Sequence, residues 1–365
     1  MDFLPEEILV EIFKLSGSCC YNCKFVCRKW FRINSEFNLP QLFEVCLKEQ
    51  NVSLMDKIPN VERVVCLNRA LEICVQNGLF ISLEWLLKKE EHLSRSIYPL
   101  AAKFNRLDVS KWASKKNISI QSPSQNPYRF ALENQNFEML DWLFNSQCPW
   151  EQQCYIPAIA SNSVEILNWL EQKGIFNARE FERFPYTAIA PLTEIACGWK
   201  SFESLKWLFS RRMYISTQCS YLSSKSQDFQ TLDWLKEKSL LDSDKAFTAA
   251  YQADDQETIN HLQKLGLIPG NSTICVMIEK DLVEEVERTG ILLDSIHFLY
   301  MLEYDRQEMM KILFKQNNGK IPEDCLKILI QKKRRDILNW AIREGNVTVE
   351  EIKILTCKLS RNSVK

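Results

Sequence analysis

The chain has 365 residues, 46% hydrophobic and 25% charged, a balance that predicts folded structure throughout and length enough for several domains or one extended array. A formal net charge of −1 gives no reason to expect nucleic acid or an anionic membrane surface as a partner. No segment approaches the ~18 uninterrupted apolar residues of a membrane span, and the first residues lack the basic start and apolar run of an export signal, so neither is expected. The 14 cysteines are scattered at helical positions and form no compact framework, which predicts reduced thiols in cytosol or nucleus.

The first element opens at Leu4-Pro5-Glu6-Glu7. Proline suits a first helical turn, and the two glutamates complement the positive end of the helix dipole. Ile8, Leu9, Ile12, Phe13 and Leu15 then recur at three- and four-residue spacing, and Gly17 ends the stripe. Cys20, Cys23, Cys27 and Trp30 repeat that spacing, with Phe25 and Val26 beside them, so a second helix packs on the first. Some thirty residues cannot close a large core, and part of this apolar surface is expected to receive a partner helix. Residues 3 to 40 resemble an F-box, although cysteines stand at 20 and 23 where family members more often carry leucine. The resemblance implies helices that dock a Skp-type adaptor of a cullin-RING ubiquitin ligase through Leu4, Pro5, Ile8, Leu9, Ile12, Phe13, Val26 and Trp30.

A connecting helical segment is predicted over 41–68, and from about residue 69 to 350 the chain repeats. Leu-x-Trp-Leu occurs at Leu83–Leu86, Leu140–Leu143, Leu167–Leu170, Leu205–Leu208 and Leu232–Leu235, with a looser copy at Trp112. Anchored on the tryptophan slot, the series runs Trp85, Trp112, Trp142, Trp169, Trp207, Trp234, then His261, Glu285, Ile312 and Trp340, most often 27 residues apart. Eleven positions before the first seven anchors stand Cys74, Ala101, Ala131, Ala158, Ala196, Ser223 and Ala250. Five positions before the first six stand Phe80, Leu107, Phe137, Val164, Phe202 and Phe229. A small residue on the first helix of a pair and an apolar stripe on the second predict about ten stacked antiparallel pairs, with the tryptophans between units.

The phrases Ala158–Leu167 and Asn126–Ala131 resemble the ankyrin repeat, but most units fall about six residues short of its usual ~33, which puts the protruding hairpins of that family in doubt. The fold class expected is all-α: F-box helices followed by an α-solenoid of short ankyrin-like pairs, with residues 351–365 as a polar cap. The combination resembles F-box/ankyrin proteins of large DNA viruses, implying a substrate receptor, host cytoplasm or nucleus, and no cofactor. The 38-residue interval from Trp169 to Trp207 holds extra residues, among them Phe181, Arg183 and Tyr186, a candidate target contact or a lengthened first helix.

Other constellations are weighed against bland accounts. Cys19, Cys20, Cys23 and Cys27 lack the paired spacing and nearby histidine of a zinc site, so helix packing explains them better. His92, His261 and His297 form no recognisable set with a nucleophile, and no phosphate loop or metalloprotease motif occurs, so the chain is not expected to be an enzyme. Lys332–Arg335 is expected to be a solvated corner. Two alternatives remain: an ankyrin-type scaffold or sequestering protein acting without ubiquitination, and a thiol- or metal-dependent enzyme.

Overall fold

The computed structural model describes residues 39–56, 66–120, 126–177 and 191–362. The chain divides into two units, Met1–Asn177 and Ala178–Lys365. Every regular element among the described residues is helical, and none is long and apolar enough to cross a membrane. The residues of the F-box resemblance up to 38, and the segment 178–190, lie outside the described residues.

In the first unit, α1 (Leu39–Lys48) and α2 (Val52–Met55) precede helices that come in pairs. These are α3 (Leu67–Asn77) with α4 (Phe80–Lys89), α5 (Ile97–Lys103) with α6 (Leu107–Lys115), α7 (Pro127–Glu133) with α8 (Phe137–Asn145), and α9 (Tyr155–Ala160) with α10 (Val164–Gln172). The second unit continues the pattern: α11 (Leu192–Gly198) and α12 (Phe202–Ser210), α13 (Gln218–Lys225) and α14 (Phe229–Glu237), α15 (Ser243–Gln252) and α16 (Gln256–Lys264). Then come α17 (Asn271–Glu279) and α18 (Val283–Thr289), α19 (Ser295–Glu303) and α20 (Gln307–Gln316), α21 (Glu323–Gln331) and α22 (Arg335–Arg343), and a last helix α23 (Val349–Asn362). Within each unit, first helices of successive pairs pack on one another. Each anchor lies in the second helix of its pair, including the degenerate His261, Glu285 and Ile312.

One turn joins the two helices of every pair. A residue in the left-handed region reverses the chain: Gly78, Asn105, Gln135, Asn162, Lys200, Gln227, Asp254, Asp281, Asp305 and Lys333 all have positive φ. Asparagine, aspartate and glycine tolerate this conformation best, which accounts for the polar turns. The next amide then closes the first helix. The N–H groups of Leu79, Arg106, Asn136, Ser201, Asp228 and Asp255 donate to the carbonyls of Cys74, Ala101, Ala131, Ala196, Ser223 and Ala250 at 2.7–3.0 Å. The small residues thus have two tasks, since their fully buried side chains admit the neighbouring helix while their carbonyls fasten the turn.

The residue donating that bond also caps the second helix. Asn136, Asp228 and Asp255 accept from the backbone N–H three residues on. Where arginine stands there, it reaches back instead: Arg106 donates to Gln76 O, Arg306 to Ile278 O and Glu279 O, and Arg334 to Leu302 O. Carbonyls left open at the end of one first helix are therefore satisfied from the following pair. Arg334 is the member of the basic run 332–335 that takes part in this device, the run spanning the turn between α21 and α22 and the first residue of α22.

Between pairs, three anchors meet the aromatic residue that opens the previous second helix, while Trp142 stacks on Tyr98 and Trp169 meets Phe144. Phe80 faces Trp112 at 5.7 Å, Phe202 faces Trp234 at 6.1 Å and Phe229 faces His261 at 4.6 Å between ring centres. The tryptophans are not uniformly core. Trp85, Trp169 and Trp207 are buried, while Trp112, Trp142, Trp234 and Trp340 are half-buried. The apolar core runs through Leu71, Leu83, Leu86 and Val109 in the first unit and Phe247, Leu262, Ile274, Phe298 and Leu313 in the second.

Candidate protein-interaction surface

The outer edge of the second helices carries a polar ladder. Trp169 Nε1 donates to Asp141 Oδ1 at 3.0 Å, and Lys173 Nζ meets the same carboxylate at 2.8 Å. Trp85 and Lys89 bind Asp56 in the same way, and His261 Nε2 lies 2.8 Å from Asp233 Oδ1. The Lys173 and Trp169 hydrogen bonds hold the Asp141 carboxyl below its usual range. These side chains satisfy one another, which makes the ladder a structural edge and not a reactive one.

The short links between pairs form a further surface, and in the second unit it is chemically different. Tyr214, Ile268 and Leu292 each sit seven residues after an anchor and are 78%, 65% and 77% exposed. Ile296, at the start of α19, and Tyr300 beyond it extend the apolar surface. Backbone ties hold the links in place, since Thr193 Oγ1 donates to Tyr214 O at 3.0 Å and Ser243 Oγ donates to Ile268 O. Tyr251, Leu267, Ile268, Pro269, Glu285 and Arg288 line a groove of about 320 Å³ between two pairs.

The carboxylates along these links are occupied. Asp242 caps α15 through Lys245 N at 2.9 Å, and Asp244 accepts from Ser272 N and Thr273 N at 3.0 and 2.9 Å. Asp294 caps α19 through Ile296 N and His297 N, and His297 Nδ1 accepts from Asp294 N in return. Burial alone would raise the Asp244 carboxyl, but the bonds from Thr273 and Ser272 outweigh it and hold it below the usual range. Among the described residues, the exposed cations Arg212, Lys264 and Arg288 form no ion pair.

The described thiols are free cysteines, and most are buried. Burial pushes Cys74, Cys148, Cys154 and Cys325 up to about 12, so they are protonated at neutral pH and poor nucleophiles. Cys197 and Cys219 share a hydrogen bond that draws Cys219 below the usual thiol range and pushes Cys197 up. Among the described residues no group of three or more His, Cys, Asp or Glu is placed to hold a metal ion.

The adaptor-facing residues expected from the sequence, Leu4, Pro5, Ile8, Leu9, Ile12, Phe13, Val26 and Trp30, lie outside the described residues, as do Phe181, Arg183, Tyr186 and the cysteines at 19–27. The link row was not anticipated, though its common offset from the anchors was a signal open to sequence reading. Comparison with curated proteins finds no match. The F-box-like family model matches residues 1–39. The chain therefore carries an F-box-like domain at residues 1–39, followed by a helical repeat region.

Proposed function

We propose that this protein is the substrate-recognition subunit of an SCF-type ubiquitin ligase: the F-box-like domain docks a Skp-type adaptor, and ankyrin-like repeats hold the protein to be ubiquitinated. The observation that carries this reading is the F-box-like match at residues 1–39 in the same chain as a stacked helical repeat. Repeats of this kind offer long surfaces whose variable positions change without disturbing the buried stripe. Ubiquitin transfer belongs to partner subunits, and this chain contributes effective concentration by holding the target beside them. Leu4, Pro5, Ile8, Leu9, Ile12, Phe13, Val26 and Trp30 are proposed to form or support the adaptor face.

Adaptor capture tests the reading. Full-length protein should co-purify with a Skp-type adaptor, deletion of residues 1–39 should abolish capture, and alanine at both Leu4 and Pro5 should weaken it sharply with the melting temperature unchanged. Equal capture by the deleted chain would sink the receptor reading and favour a scaffold acting without ubiquitination.

A further inference from the structure

We propose that the inter-pair links of the second unit bind an extended, acidic and apolar segment of the target protein, apolar side chains meeting Tyr214, Ile268 and Leu292 and carboxylates meeting Arg212, Lys264 and Arg288. The inference rests on the receptor reading above and gives its unnamed target a chemistry and a register.

Two features of this edge identify the occupant. The first is charge. Asp242 and Asp294 are engaged as helix caps and Asp244 accepts from the start of α17, whereas among the described residues Arg212, Lys264 and Arg288 have no ion-pair partner. The groove lining itself holds one carboxylate, Glu285, and one cation, Arg288, and Arg212 and Lys264 add positive charge outside it. Lys264 and Arg288 lie in the last turns of α16 and α18, where a helix end presents only a partial negative charge. A full carboxylate from a partner is the stronger counter-charge. The second feature is the unpaired apolar row. Tyr214 and Ile268 are held in place by bonds to their own carbonyls and Leu292 by Gln316, which bonds the backbone on either side of it, yet all three bury little of their own surface.

Spacing then sets the register. Packed helices lie roughly 8–10 Å apart, and an extended chain advances ~3.3 Å per residue, so one helix pair corresponds to about three residues of bound segment. Ile268 and Leu292 belong to adjacent links, whereas the link containing half-buried Leu241 separates Tyr214 from Ile268. The segment should therefore carry an apolar residue at every third position across three successive link intervals, with acidic residues between. The groove beside Tyr251, Leu267 and Pro269, of about 320 Å³, has room for one large apolar side chain, with Arg288 at its margin.

The test uses full-length protein and fluorescently labelled peptides of Leu-Ser-Glu repeats, read by anisotropy, with Leu-Ser-Lys repeats and a four-residue leucine spacing as controls. The glutamate peptide should bind saturably, more weakly as salt rises, and better than both controls. Arg288→Glu should weaken it roughly fivefold, the size expected of one exposed charge pair, and Ile268→Ser should also weaken it, with thermal melting unchanged in both. Equal binding of the lysine peptide, indifference to leucine spacing, or no effect of either variant would overturn the proposal. A dimer in light scattering that Tyr214→Ser and Leu292→Ser dissolve would overturn it too, by making this edge an interface between copies. Adaptor capture run alongside separates the two failures: retained capture without peptide binding refutes this inference alone.

Discussion

Replacing Trp169 tests the cross-pair packing most directly. Its ring is 7% exposed, meets Phe144 of α8 edge to face at 6.2 Å, and lends its indole N–H to Asp141 of the same helix. Trp169→Ala removes the packing and leaves a cavity between α8 and α10, a change that costs roughly 3–5 kcal/mol in buried sites. Trp169→Phe keeps much of the ring and loses the hydrogen bond, so it should cost about 1 kcal/mol. The smaller figure is not inflated by a stranded acceptor, because Asp141 is half exposed and keeps Lys173 at 2.8 Å. Urea unfolding supplies the total, and hydrogen exchange supplies the location. In a nearest-neighbour array, protection should fall first in α8, α9 and α10, with α15 to α20 unchanged. Uniform loss over the whole chain, or equal cost for alanine and phenylalanine, would refute the argument that this ring works as a local clamp.

The other expectations concern caps. Asp244→Ala leaves the N–H groups of Ser272 and Thr273 without their acceptor and should cost about 1 kcal/mol, read by denaturant unfolding. Because the folded carboxyl lies below its ordinary value, its stabilisation is present above the unfolded pKa of ~3.9 and is lost as pH falls through the folded value. The stability difference between wild type and Asp244→Ala should accordingly shrink below about pH 4 and stay constant between pH 5 and 7. Arg306→Ala frees the carbonyls of Ile278 and Glu279, and faster exchange in the turn from α17 to α18 should report the loss at a cost of roughly 1–2 kcal/mol. Arg306→Lys cannot bond both carbonyls with one fork and should restore only part of that protection.

The repeat itself was legible because it is a local property. The 27-residue recurrence of an apolar stripe and the small residues from Cys74 to Ala250 are visible without any tertiary information, and the helices fall where that register puts them, even at His261, Glu285 and Ile312. The F-box resemblance was legible for a similar reason, since Leu4-Pro5 and the stripe after it form a short contiguous pattern that a family model also matches. Partnership between units was not legible. Phe80 and Trp112 stand in different pairs, and only the stacking of α4 beside α6 shows that the aromatic opening one helix seats against the anchor of the next. The degree of tryptophan burial was not legible from their regularity, because Trp142 and Trp234 occupy the same slot as Trp169 and are only half-buried.

The sequence by itself determined the all-helical class and the register of the repeat, because helix periodicity and turn chemistry act within a few residues along the chain. Tertiary structure alone decided which arginines close a neighbour's helix, which carboxylates are spent as caps, and why Tyr214, Ile268 and Leu292 lie in solvent while similar side chains fill the core. Those outcomes depend on distances between residues some thirty positions apart, which helix packing sets and local sequence does not encode.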